Sequence, residues 1–451
     1  PAAVALVKSV DITPYGSTIT SVATANGIVA CAVPANDGMT NGKVVLFNTA
    51  GDFLNQVTVG VLPDMVTFSP DGKKILTANE GQPNDSYTID PEGSVSVIDI
   101  SGGAAGITQA NVTTLLFTAF NAQETALKAQ GVRKTKSTST LSQDFEPEYI
   151  TVSADSKKAW VTIQENNAIA EINLETNTIA KVWGLGVKDF SSPMTGIDVS
   201  DNNGQVLIAN WPLKAFYMPD AVGNYTVGGK TYLVTANEGD EKEYAGLNER
   251  TTVGASSVIL DPTVFPHAAM LKQSYNMGRL RITNLNGDTD NDNDYDELYT
   301  VGPRSFSIWD AETGALVYDS KDEIELYTAK HPVFGAIFNA DHESNTPKGR
   351  SRSKGPEPEG VVVSQINGQQ YAFVSLERIG GVMVYNVNDP ANAVLVDYKN
   401  NRLTNSLGGD LGPETLIYIS NETSPDGKAY LVVTNEISGN ITIFQVKGAI
   451  T

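Results

Sequence analysis

Cysteine is nearly absent from this 451-residue chain: Cys31, within GIVACAVP, stands alone. A single cysteine excludes an internal disulfide and reads as a small buried strand residue. It leaves an extracellular home open, because cysteine-poor secreted proteins can rely on calcium instead. Long apolar runs are missing too, none approaching the roughly 20 residues that span a bilayer. No signal peptide is visible, and the start at Pro1 rather than methionine suggests a processed mature form. Bases are scarce, with 31 Lys and Arg against 52 Asp and Glu and a formal net charge of −21. That balance excludes the basic stripes that nucleic acid requires and disfavours docking on anionic membranes. The three histidines, His267, His331 and His342, lack zinc spacing. Neither a Gly-rich phosphate loop nor a GxSxG nucleophile elbow occurs.

What the chain does have is a globular hydrophobic content of 41% and a repeat. Pro-acid pairs stand at Pro63-Asp64, Pro147-Glu148, Pro219-Asp220, Pro358-Glu359 and Pro413-Glu414. A short β-type run follows each, then a polar turn such as SPDGKK at 69–74 or SPDGKA at 424–429. The next strand ends in an acid: ILTANE, AWVTIQE, YLVTANE, AFVSLE and YLVVTNE finish at Glu80, Glu165, Glu238, Glu377 and Glu436. A third strand alternates apolar and polar residues, and a weaker fourth closes most units. Each unit is a four-stranded antiparallel meander, the blade of a β-propeller. An earlier unit at 17–59 lacks the acids, which makes six units. The stretch 190–216 hints at a seventh. The last unit has no fourth strand, and the segment 2–12 is expected to supply it and close the ring. The expectation is therefore an all-β chain, a single propeller domain over 1–451. Long face insertions fall near 118–143, 186–216, 239–303 and 321–355. The first should hold a helix in FNAQETALKAQG, with Asn121 as cap and Gly131 as stop.

In such a fold the turn before the first strand and the end of the second strand share one rim. Asp64, Glu148, Asp220, Glu359 and Glu414 should then face Glu80, Glu165, Glu238, Glu377 and Glu436. Two like charges ~6 Å apart repel by roughly 3 kcal/mol even at an effective dielectric of 20. Cations, Lys and Arg from insertions, or raised pKa values must compensate. The plain reading is that each acid only caps its own blade. The sharper one is that the rim holds divalent cations.

The acidic loop GDTDNDNDYDELY, 287–299, points more directly to Ca²⁺, a hard cation that takes several oxygen ligands. An EF-type register runs Asn286, Asp288, Asp290, Asp292, Asp294 and Glu297, with Asn291 at the sharp turn. A shifted register uses Asp288, Asp290, Asp292 and Asp296. A disordered acidic loop is the alternative. Bases gather in PKGRSRSKGPEPEG, where Lys348, Arg350, Arg352 and Lys354 precede Glu357. Together with Arg304 and Arg378 they read as counter-ions to the rim, or as a clamp for an anionic substrate over bound metal.

TANEGQPNDSYTIDPEGSVSVIDI, DFEPEYITVS, YLVTANEGDEKEY, GDTDNDNDYDELYTVGPRSFSIWD, KGPEPEGVVV and LGPETLIYIS resemble the choice-of-anchor I family over nearly the whole chain. That family includes proteins labelled mesenchyme-specific cell surface glycoproteins, and some cyanobacterial members carry an alkaline phosphatase label. The resemblance implies a secreted or surface-attached protein with a propeller core. A bacterial periplasm is the alternative home. Asn291 and Asn293 depart from the family's Gly-rich acidic loop, and no C-terminal anchor is read in the closing QVKGAIT.

Two functions follow as expectations. The first is an extracellular binding or matrix module whose calcium is structural and whose partner is a protein, a glycan or another copy. The second is a Ca²⁺-dependent phosphoesterase. There Glu148, Glu238 and Glu359 would serve the reaction. Glu80, Glu165, Glu377, Glu414 and Glu436 would hold Ca²⁺ or another divalent metal, and Arg304 and Arg378 would clamp a phosphorylated small molecule.

Overall fold

The structure is a computed structural model describing residue 6 and residues 8–447. It is all-β, and its described residues form two compact units. The first runs to Leu185 and includes Tyr244–Asn248; the second comprises Gly186–Glu243 and the described chain from Glu249 onward.

Three antiparallel meanders build the first unit. Their strands are Ser21–Ala25, Ile28–Val33, Asn41–Asn48 and Phe53–Val61; Pro63–Phe68, Lys74–Asn79, Ser94–Asp99 and Val112–Leu116; and Pro147–Val152, Lys158–Ile163, Ala168–Asn173 and Thr178–Gly184. The first hairpin turns at Asn26 and Gly27, whose φ values of 51° and 78° are those of the primed turns that match strand twist. Second strands such as Lys74–Asn79 are buried on both faces, which is why they read as continuous rather than alternating apolar runs. Ala30, Val44, Val57, Val66, Ile75 and Ile98 pack the first sheet on the second. Leu76, Val97, Ile150, Val161 and Ile172 pack the second on the third, joined by Phe117, Leu127 and Phe145 from the intervening insertion. Each Val, Leu, Ile or Phe among these contributes about 1.5–3 kcal/mol when fully buried.

That insertion holds a short helix, Glu124–Ala129, preceded by a 3-10 turn at Thr118–Gln123. Asn121 does not cap it. Its Oδ1 accepts from Ser142 N at 2.8 Å and its Nδ2 donates to Ser142 Oγ at 3.0 Å, pinning the insertion to a later segment. Gly131, at φ 94°, follows the helix end as expected.

The second unit carries a sheet of Val222–Val227, Lys230–Asn237, Ser305–Asp310 and Leu316–Asp319, and another of Pro358–Ile366, Gln369–Leu376, Val382–Asn386 and Val394–Lys399. A three-stranded sheet of Pro413–Ile419, Ala429–Asn435 and Asn440–Val446 packs on the latter through Phe373, Val384, Leu416 and Leu431. The closing strand expected at 2–12 falls partly outside the described residues, and residues 8–12 form no strand. The hairpin expected at 190–216 forms, but only as Ile197–Asp198 against Ile208–Ala209, not as a four-stranded sheet. The insertions at 186–216 and 239–303 coalesce. Phe190, Val199, Leu213, Val253, Leu260, Leu280 and Leu298 form a core of their own.

The recurrent Pro-acid pair has a structural meaning. Pro358 faces Leu376 and Val361 faces Val374, so Glu359 and Gly360 together oppose Ser375 alone. Glu148 and Tyr149 likewise oppose Thr162, and Glu414 and Thr415 oppose Thr434. Asp64 is the extra residue between Pro63 opposite Asn79 and Met65 opposite Ala78. Each is a β-bulge, which re-aims a side chain and breaks the ladder locally. In three of them the displaced N–H finds the opposing hydroxyl: Tyr149 N to Thr162 Oγ1 at 2.9 Å, Gly360 N to Ser375 Oγ at 2.8 Å and Thr415 N to Thr434 Oγ1 at 3.1 Å. The strand after Pro219-Asp220 pairs in regular register instead. Replacing Ser375 by Ala should orphan the buried Gly360 N–H and cost about 1–3 kcal/mol, while Ser375→Thr should retain most of the stability. Urea unfolding of the two variants checks this.

Candidate functional site

The second-unit bulge aims Glu359 at two other acids. Oxygens of Glu238, Glu359 and Glu377 lie within 4.8 Å of one another. Glu238 directly follows the strand Lys230–Asn237, and Glu377 directly follows Gln369–Leu376, so both come from second-strand ends as the repeat predicts. Glu359 Oε2 is shielded from water and receives no hydrogen bond.

Beside this group lies Glu357, wholly buried and at φ 52°, a left-handed conformation that costs a non-glycine residue energy. Arg350 Nε donates to its Oε1 at 2.9 Å, Arg378 Nε donates to its Oε2 at 2.8 Å, and Lys354 Nζ lies 3.2 Å from Oε2. Burial by itself would raise the Glu357 pKa, but Lys354, Arg350 and Arg378 overcome it and hold the carboxyl well below the usual range. Lys354 also pairs with Glu238 and donates to Gly239 O at 2.5 Å. Burial depresses the lysine's proton affinity, yet Glu238, Glu357 and Asp240 together carry it well above the ordinary value.

Compensation is only partial in the three-acid group. Burial, with Asp240, Glu357 and Glu377 nearby, pushes Glu238 up to about 7 despite Lys354. Burial and the charges of Glu238, Asp220 and Glu377 raise Glu359 well above the carboxylate range. Glu377 takes His342 Nδ1 at 2.8 Å and Arg378 Nη1 at 3.2 Å. Such a set of acceptor-only oxygens must hold protons or a cation. Oxygen donors alone suit hard ions such as Ca²⁺, Mg²⁺ or Mn²⁺.

The remaining predicted residues divide by place. Glu436 is exposed and Glu414 half-buried, and neither joins the group. In the first unit, burial pushes Asp64 up to about 6, offset by a hydrogen bond with Glu80. Glu165 is buried and Glu148 half-buried there. Among the described residues these four form no three-ligand group of comparable closeness.

Arg304 is engaged within the protein. It is 2% exposed; Nη1 donates to Asp198 O at 2.8 Å and Glu325 Oε1 at 2.6 Å, and Nη2 donates to Ser351 O at 2.7 Å and Ser353 O at 2.6 Å. Its four terminal N–H bonds are thus spent on the protein, and it braces the segment carrying Arg350 and Lys354. Arg378 is likewise engaged, with Glu357, Glu377 and His342.

The acidic loop departs from the EF register at its last ligand. Glu297 pairs with Lys214 and accepts from Tyr299, so it is turned out of the loop. Asp288, Asp290 and Asp296 instead form one close group, nearer the shifted register, and Asp296 also belongs to a second group with Asp294 and Asp261. Asp261 lies far upstream and arrives by its N–H bond to Tyr295 O at 3.1 Å, a contact no local motif signals. Asn291 takes φ 66°, the sharp turn expected of it, and Asp288 accepts from Asn291 N at 2.7 Å. Asp292 accepts from Asp294 N at 3.1 Å, and Asn286 is half-buried ahead of Gly287.

Sequence reasoning missed Glu357, Lys354, Arg350 and His342 as the heart of the site. The counter-ion reading of 348–354 pointed toward them: Lys348 pairs with Asp198, Arg350 with Glu357, Arg352 with Asp201 and Lys354 with Glu238.

Residues 1–390 match the family profile described as the choice-of-anchor I domain. Gigasin-3a of Magallana gigas is 28% identical over 188 residues, 38% of this chain and 65% of its own length. The mesenchyme-specific cell surface glycoprotein of Strongylocentrotus purpuratus is 27% identical over 289 residues, 57% of this chain and 36% of its own length. The chain thus spans less than two thirds of either curated relative. Among solved structures, the β-propeller domain of Myceliophteria thermophila Cps50 (Swd1) aligns at TM-score 0.41 with 10% identity, covering 95% of this chain and 84% of that one. Hydrazine synthase of Kuenenia stuttgartiensis aligns at TM-score 0.36 with 14% identity, covering 96% of each.

Glu357→Gln should destabilise the fold by about 3–5 kcal/mol, since three cations would lose their buried counter-charge. The depressed Glu357 stabilises fully above its unfolded value of about 4.3 and loses that contribution as pH falls below it. Glu238 has the opposite sign: its raised pKa stabilises the cation-free protein below about 4.3, and that contribution is lost as pH rises to about 7. Urea unfolding in chelator across this range should therefore lose the upper-window slope in Glu238→Gln and keep it in wild type.

Proposed function

Since this chain belongs to the choice-of-anchor I family, we propose that it is an extracellular or surface-exposed binding module whose second unit holds a divalent cation between Glu238, Glu359 and Glu377. The carrying observation is the three-carboxylate group with a buried Glu359 oxygen that receives no hydrogen bond. A cation there would replace the protons that burial and mutual repulsion otherwise demand. A surface setting is supported by the Strongylocentrotus purpuratus relative, a cell surface glycoprotein. No helix among the described residues is long and apolar enough to cross a membrane, so the proposal contains no helical span. The acidic loop around Asp296 is a candidate for a second, calcium-type site in this reading. The repeat in the sequence supports arranging the sheets as propeller blades.

The geometry favours binding over hydrolysis. The two arginines expected to clamp phosphate over the metal are engaged within the protein: Arg304 is saturated, and Arg378 is paired with Glu357 and Glu377. The cation centre then serves to order the surrounding segments and to present them to a partner.

Calorimetric titration of chelator-stripped protein with Ca²⁺, Mg²⁺ and Mn²⁺ should show saturable binding. Glu359→Gln combined with Glu377→Gln should weaken one class of sites about tenfold or more. Asp288→Asn with Asp296→Asn should affect a different class. A generic aryl phosphate should not turn over with any of these ions at alkaline pH. Hydrolysis lost in Glu359→Gln would replace the binding module with the phosphoesterase, and unchanged titrations in the Glu359/Glu377 double variant would remove the proposed centre.

A further inference from the structure

Arg281 stands apart from the other arginines around it. Arg250 pairs with Glu241 and Glu243, Arg279 and Arg352 share Asp201, and Arg350 pairs with Glu357 and Asp341. Arg281 forms no ion pair among the described residues; its Nη1 only donates to the neutral Ser353 Oγ, at 3.3 Å. In a chain carrying a net charge of −21, a half-buried arginine without a carboxylate is a specific feature.

The fold gathers the cations by register. Strands Arg250–Thr252 and Arg281–Thr283 pair antiparallel, with Arg250 opposite Thr283 and Thr252 opposite Arg281. Arg250 and Arg281 therefore project from one face as diagonal neighbours, about 7–8 Å apart at the backbone. Arg281 N donates to Arg352 O at 2.9 Å, which draws the segment 350–353 alongside. The side chains of Arg250 and Arg352 remain 30% and 35% exposed, so solvent reaches the cluster. Burial first, then the charges of Arg250, Arg350 and Arg352, hold the Arg281 guanidinium below its ordinary proton affinity, with Glu241 opposing. Like charges so gathered are relieved by an anion. A planar guanidinium fork suits tetrahedral oxygens well.

We propose that Arg281, flanked by Arg250 and Arg352, is the centre of an oxyanion-binding site for a phosphate or sulfate ester group. The ligand class follows from the donors: several guanidiniums converge where one lacks an acid partner, and no metal-binding side chain is needed. Arg350 also touches Glu357, so the site borders the cation centre, but it does not require a bound cation.

Titration calorimetry on the intact chain in excess chelator tests this, with sodium phosphate and sodium sulfate in separate runs at matched ionic strength. Both anions should bind saturably. Arg281→Gln should weaken binding about tenfold or more, and Arg281→Lys should recover part of the loss. Arg279→Gln, which removes a guanidinium already spent on Asp201, should stay within about twofold of wild type. Tighter phosphate binding assigns phosphate esters to the site; tighter sulfate binding assigns sulfate esters. Absence of saturable heat for both anions overturns the proposal, as does wild-type affinity in Arg281→Gln or in Arg281→Lys combined with Arg250→Lys. Because chelator is present throughout, the result is separate from that of the Ca²⁺ titrations.

Discussion

A carboxylate removed from water has to be met by a cation, a proton or hydrogen-bond donors, and the second unit is arranged around that requirement. Glu357 meets it completely, with Lys354, Arg350 and Arg378 around one wholly buried group. The same three bases fix the segment 350–357, and Arg304 braces it through the carbonyls of Ser351 and Ser353. Removing one member leaves opposite charges buried without partners, which is far more costly than never having built the pair. The left-handed backbone at Glu357 is tolerated on these terms.

Glu238, Glu359 and Glu377 meet the requirement only in part. Lys354 reaches Glu238, and His342 and Arg378 reach Glu377, but Glu359 Oε2 is left without a donor. Bulges supply the geometry. An extra residue after the proline re-aims the acid, and a serine or threonine on the facing strand takes the displaced N–H. The bulge thus converts a repeat of sequence into a repeat of carboxylate placement. Whether a given placement becomes a site depends on what the insertions bring to it.

The insertions bring charge of the opposite sign. Lys348, Arg350, Arg352 and Lys354 each find an acid, so the run that looks basic in sequence is neutralised within the fold. Arg281 lies outside that pairing and faces the same neighbourhood from a short ribbon. The three-carboxylate group and the arginine cluster thus lie in the same unit, joined through Arg350 and its partner Glu357.

Much of this was legible in the chain itself. Period-two alternation, the Pro-acid pairs and the Gly- and Asn-containing turns specify the antiparallel meanders, because each signal depends only on neighbours in sequence. The second-strand acids Glu238 and Glu377 and the bulge acid Glu359 were readable for the same reason. Other features were not. Asn121 looked like a helix cap but bonds Ser142, and Arg304 looked like a free clamp but is saturated by four oxygens, Glu325 among them. Glu297 looked like a metal ligand but pairs with Lys214, while Asp261 reaches the acidic loop from outside it. Local pattern, then, determined the strands and the turns. Tertiary packing alone decided which acids come together and which bases meet them, because the cation that pairs with a buried carboxylate comes from a segment whose distance in sequence says nothing about its distance in space.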